Sequence, residues 1–190
     1  MIAQELTYIT EAAYLAAERN AVDRREYFQG EIYTMAGATR NHNRINQNLS
    51  IEIGGFLKNK TCQSYSSDLR IHVPRNSLYT YPDLIICCEE EQYLDNEFDT
   101  LLNPTALTEV LSKSTGKYDQ EGKFELYREI DSLQEYITVH SRQMKASVWQ
   151  KSSNGFWTLA QEISQPTDSL HIRTIGLTLS FTDLYNRVVF

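Results

Sequence analysis

Pro82-Asp83-Leu84-Ile85-Ile86-Cys87-Cys88 joins a turn-forming dipeptide to an uninterrupted apolar run of five residues. The run is far too short to cross a bilayer, and it lacks the alternation of a strand with one wet face. It reads as a short central strand covered on both sides. Downstream, Ala106-Leu107-Thr108-Glu109-Val110-Leu111 has the same character, except that a carboxylate stands near its middle. Between and around these two segments the other elements fall into place. Thr10 ahead of Glu11-Ala-Ala-Tyr-Leu-Ala-Ala-Glu18 predicts a capped helix. Residues 25–35 predict a hairpin turning at Gln29-Gly30. Ile45, Leu49, Ile53 and Phe56/Leu57 recur at helical spacing between Asn41 and Lys58. Ser64–Val73 reads as extended, and residues 119–130 return to helical periodicity. Gln134–His140 and Met144–Gln150 read as a hairpin around Ser141-Arg142-Gln143. Short strands near Phe156–Gln161 and Leu177–Leu179 and a helical turn near Thr182 close the pattern. Helices flanking a run of central strands predict an α/β or α+β sheet with covered faces.

Composition narrows the classes. The chain has 190 residues, 41% of them apolar and 11% aromatic, which is far from the disordered corner of composition space. The length suits one domain over residues 1–190. The opening Met1-Ile2-Ala3-Gln4-Glu5 lacks the basic-then-apolar layout of a signal peptide, so a cytoplasmic protein is expected. Cys62, Cys87 and Cys88 form no Cys-x-x-Cys, and the four histidines show no His-x-x-x-His spacing, which argues against structural zinc. The cysteines read as small buried thiols in a reducing compartment. The formal charge of −7 by itself disfavours a phosphate-rich partner. However, residues 89–99 hold six acids and no base, so the rest of the chain is close to neutral. That stretch reads as a solvated loop, one that would repel nucleic acid until screened.

Three side chains carry candidate chemistry. Pro82-Asp83 alone is an ordinary loop-to-strand turn. Glu109 lies inside a buried-looking strand, where a carboxylate costs several kcal/mol unless it is paired, protonated or bound to metal. If the two strands are neighbours, both acids meet at one end, and two such oxygens suit a hard divalent ion. Lys123 opens the stripe Lys123, Leu126, Tyr127, Ile130, the face of its helix that should be buried. Asp119, one turn earlier on that face, could cap the helix or pair with the lysine.

Pro82-Asp83, then Glu109-Val-Leu, then Lys123 resembles the PD-(D/E)XK nuclease-like superfamily, and in particular its Uma-two type of endonuclease. The likeness spans nearly the whole chain and is carried by an ordered set of segments. These are Tyr65-Ser-Ser-Asp68-Leu-Arg70, Tyr79-Thr-Tyr-Pro-Asp83-Leu-Ile-Ile, Glu109-Val-Leu-Ser112-Lys-Ser-Thr115, Tyr118-Asp119-Gln-Glu-Gly-Lys123-Phe-Glu-Leu-Tyr127-Arg128 and Ser132-Leu-Gln-Glu135-Tyr136. In the superfamily's usual pattern a lysine stands two residues after the second acid. Here that position is Leu111, and the group resembled moves the lysine to the following helix, where Lys123 lies.

The resemblance implies a restriction-endonuclease-like α/β fold: a central mixed β-sheet flanked by helices, with additional β-hairpins. It further implies a magnesium- or manganese-dependent endonuclease acting on DNA as a homodimer. Asp83 and Glu109 would hold the metal, helped by the Val110 carbonyl, and Lys123 would assist attack. Such folds often add an acid from an N-terminal element, for which Glu26 and Glu31 are the candidates. His42 opens the second helix and could face the same cleft. Lys113, Lys117 and Arg128 could contact flanking phosphates. A nuclease-like fold retained as a nucleic-acid-binding or protein-interaction module without turnover is the alternative.

Overall fold

The computed structural model describes residues 8–35, 37–112 and 122–190. Two mixed sheets, built from alternating parts of the chain, pack together. The first five elements are α1 (Glu11–Glu18), β1 (Arg25–Phe28), β2 (Glu31–Thr34), α2 (Arg40–Leu57) and β3 (Gln63–Ser66). There follow β4 (Arg70–Val73), β5 (Leu78–Thr80), β6 (Leu84–Cys87), β7 (Thr100–Leu101) and β8 (Ala106–Leu111). The chain ends with α3 (Phe124–Tyr127), β9 (Glu135–His140), β10 (Ala146–Lys151), β11 (Trp157–Ile163), β12 (Ser169–Ile172), β13 (Leu177–Ser180) and α4 (Phe181–Leu184). The larger sheet runs β11-β10-β9-β8-β6-β3, the smaller β2-β1-β5-β4-β7, and β12 pairs with β13 as a ribbon. Among the described residues no helix is long and apolar enough to cross a membrane.

The apolar run behaves as its pattern predicts. In β6, Leu84 and Ile86 pack with Ile45, Leu49 and Ile53 of α2, while Ile85 and Cys87 face the smaller sheet and Tyr127. A strand covered on both faces needs no polar alternation. The α2 stripe is buried as expected, and Thr39 caps the helix by accepting from the His42 N–H at 3.3 Å. The β1–β2 hairpin turns at Gln29 and Gly30, both with positive φ (47° and 94°), the two-residue turn whose twist matches the strands it joins.

Two expectations are corrected, and a third is refined. Ser64–Val73 is not one extended segment. It breaks at a turn around Ser67-Asp68 into β3 and β4, which belong to different sheets. The cysteines are not all thiols: Cys62 and Cys88 form a disulfide, and Cys87 is the free, buried one. The β3–β6 pairing sets Gln63 against Cys87, so one step further Cys62 stands directly opposite Cys88. The acidic stretch 89–99 is exposed but anchored. Arg19 reaches Asp95 and Asp99 at 2.7 and 2.8 Å, buried Arg70 reaches Asp99 at 3.0 Å, and Tyr65 donates to Glu91. Burial works to raise the Asp99 carboxyl, yet Arg19, Thr100 and Arg70 hold it at about 2.

Candidate active site

The register of the larger sheet brings the two acids together. Strands β6 and β8 are antiparallel with Leu84 opposite Thr108, so the next pair outward is Asp83 and Glu109. Residues far apart along the chain thus become cross-strand neighbours, with side chains on the same face. The Val110 N–H donates to Asp83 Oδ2 at 2.8 Å, and His42 Nε2 lies 3.2 Å from the same oxygen. His42 comes from the first turn of α2, the helix that packs on β6.

The smaller sheet contributes the third acid. Glu26, on β1, accepts from Thr80 of the neighbouring β5 and from Lys123 Nζ at 2.8 Å. Lys123 stands in a turn leading into α3, and its ammonium is also 3.6 Å from Glu109 Oε1. One turn on, Tyr127 donates its hydroxyl to Glu109 Oε1 at 2.8 Å. Burial, then the negative charges of Glu109 and Glu26, push the Tyr127 phenol well above its ordinary range, so it stays a donor. The Lys123 and Glu109 side chains are only 7% and 5% exposed, so this pair is shielded from water in a way a surface ion pair is not.

Glu26, His42, Asp83, Glu109 and Lys123 all line one cleft of about 790 Å³. The structure therefore brings together five of the residues singled out in the sequence. Glu31 is not among them. It is exposed at the far end of the hairpin, where it accepts from the Tyr33 hydroxyl at 2.6 Å. Asp119, Lys113 and Lys117 lie outside the described residues. Arg128 pairs with exposed Glu125 at 2.8 Å and does not line the cleft. Tyr127 and Thr80 were missed as site residues. Tyr127 was visible as part of the buried stripe, but nothing local marks its hydroxyl as a carboxylate's partner. Thr80 carried no signal.

Among the described residues no trio of His, Cys, Asp and Glu side chains closes on a metal by itself. The donor set nonetheless fits a hard divalent ion. Three carboxylates face one lysine across the described part of the cleft, and Asp83 Oδ1 takes no hydrogen bond there. Magnesium is commonly held by one or two carboxylates and keeps several waters, so a preformed trio is not required.

The fold is that of a restriction-endonuclease-like protein. A crystal structure described as "a putative nuclease belonging to DUF820 from Anabaena variabilis" superposes with a TM-score of 0.72 at 15% identity, covering 89% of this chain and 93% of that one. Residues 12–182 match the Uma2 family, described as "Putative restriction endonuclease", and the chain belongs to that family. Two relatives from Synechocystis sp. are similar along most of their length. The protein slr1290 is 33% identical over 93% of this chain and 91% of its own. The protein sll1609 is 34% identical over 85% and 91%.

Proposed function

We propose that the chain is a metal-dependent endonuclease that hydrolyses DNA phosphodiester bonds in this cleft. Asp83 and Glu109 would hold magnesium or manganese, and Lys123 would assist attack. The observation that carries this reading is the meeting of the cross-strand pair Asp83 and Glu109 with the Lys123 ammonium, 3.6 Å from Glu109, in one cleft. A bound divalent ion would polarise the scissile phosphate and lower the pKa of a water molecule.

The chain's own groups have derivable tasks. The Val110 N–H and His42 hold Asp83 Oδ2 in place. In a strand the N–H and C=O of one residue point to the same edge, so the Val110 carbonyl also faces the Asp83 side and supports its use as a further oxygen donor. Glu26 and Glu109 fix the Lys123 ammonium between them, which gives a positioned positive charge where negative charge develops on phosphate. Tyr127 orients Glu109 without competing for its charge.

Cleavage of supercoiled plasmid in magnesium or manganese tests the reading on wild type, Asp83→Ala and Lys123→Ala. Wild type should nick the plasmid, and each variant should be slower by about 100-fold or more. Equal rates for all three would overturn the assignment. Sedimentation of the same samples tests the homodimer that the reading carries with it. The alternative, a binding module without turnover, draws on the lysine's close engagement by Glu26. Nucleic acid bound without cleavage by the wild type would establish it.

A further inference from the structure

One wall of the cleft is apolar and exposed, which core packing does not require. Tyr33 stands directly opposite Glu26 across the β1–β2 pair, so its ring rises on the same face as that acid. Phe28, two residues along β1, shares the face, and Met35 follows at the end of β2. All three line the cleft, with Tyr33 48% and Met35 37% exposed. The hydroxyl of Tyr33 is tethered to Glu31, so the outer end of the ring is held in place.

Electrostatics gives this wall a meaning. With three carboxylates against one lysine in the described cleft, counterion release is a poor source of affinity here. Stacking of bases on aromatic side chains does not depend on charge and tolerates any sequence. Base faces are hidden inside a duplex, and only unpaired or flipped-out nucleotides present them.

We propose that the β1–β2 hairpin is a stacking platform and that the cleft takes unpaired nucleotides. The base lies on Tyr33 between Phe28 and Met35, and the adjoining phosphate reaches the acids. The phosphate's fate rests on the nuclease reading; the base contact rests on the hairpin alone.

Fluorescence anisotropy in EDTA at low salt separates the two. The probes are a labelled oligothymidylate of about a dozen nucleotides and a duplex of equal length, within the span of known single-strand sites. The single strand should bind at least about tenfold tighter than the duplex, since only it offers stacking faces. Tyr33→Leu, which keeps apolar bulk on an edge strand, and Tyr33→Ala should each weaken single-strand binding by about 5- to 150-fold. Tyr33→Phe should stay within about twofold of wild type, because it keeps the ring face. Duplex bound as tightly as single strand, no measurable single-strand binding, or unchanged binding by Tyr33→Leu overturns the platform. Cleavage in magnesium is then read separately. Tyr33-dependent binding without hydrolysis supports the platform and removes the nuclease reading. Hydrolysis of both forms at equal rates, indifferent to Tyr33→Leu, does the reverse.

Discussion

Removing one oxygen, the Tyr127 hydroxyl, shows whether Glu109 is held as the geometry indicates. Tyr127 is fully buried and donates to Glu109 Oε1 at 2.8 Å. Phenylalanine keeps the ring against Tyr136, centroids 5.6 Å apart, and deletes only the donor. A hydrogen bond to a charged group contributes about 1.5–3 kcal/mol. Lys123 Nζ remains 3.6 Å from the same oxygen, so the lower part of that range applies, about 1.5–2 kcal/mol. For a chain of this size the melting temperature should fall by about 3–8 °C. Urea unfolding at neutral pH of wild type, Tyr127→Phe, Glu109→Gln and the double variant isolates the pair. A coupling of about 1 kcal/mol or more is expected for groups in direct contact. In cleavage assays kcat should fall with KM nearly unchanged, because Tyr127 acts through Glu109 and not on substrate. A coupling below about 0.5 kcal/mol, the level of independent sites, would refute the reasoning.

Lys123→Met leaves Glu26 and Glu109 facing each other without their shared cation. Breaking a buried pair costs about 3–5 kcal/mol, and Glu26→Gln added to it should restore part of the loss in urea unfolding. Burial holds the His72 imidazole below its ordinary pKa, against the pull of the Leu78 carbonyl and Glu11. The unfolded chain therefore takes up the proton first, so this part of the stability is complete above about pH 6.5 and is lost as the pH falls below it. His72→Phe, which keeps the stack on Tyr79 (centroids 3.9 Å), should flatten the slope of melting temperature between about pH 6.5 and 5; an unchanged slope would discard that account. Reducing the Cys62–Cys88 bridge, which closes a loop of sequence separation 26, should cost up to about 3–4 kcal/mol in the chain-entropy picture. Melting with and without a reductant, with Cys62→Ser/Cys88→Ser as control, measures it.

Local pattern made much of the molecule legible. The covered strand at Leu84–Cys87, the α2 stripe from Ile45 to Leu57 and the hairpin turn at Gln29-Gly30 follow from period, propensity and turn chemistry within a few residues. So does the buried face that begins at Lys123, since Lys123, Tyr127 and Ile130 are all buried. Glu109 was legible as a cost: a carboxylate inside an apolar strand demands a partner, whatever that partner is. Each of these signals reports which face of an element leaves water, and that is a local property.

What the tertiary structure alone decided is which elements meet. Glu26 and Glu31 share one hairpin face, because their cross-strand partners are Tyr33 and Phe28, and no local rule separates them. Only the pairing of β1 with β5 puts Glu26 beside Thr80 and within reach of Lys123, leaving Glu31 in solvent. The same holds for the break at Ser67-Asp68, the Cys62–Cys88 pairing and the Tyr127 hydroxyl on Glu109. The amino-acid order determined the elements, their buried faces and the residue types capable of the chemistry. Register between segments remote in sequence decided the cleft, because adjacency is set by the packing of the whole chain and not by any stretch of it.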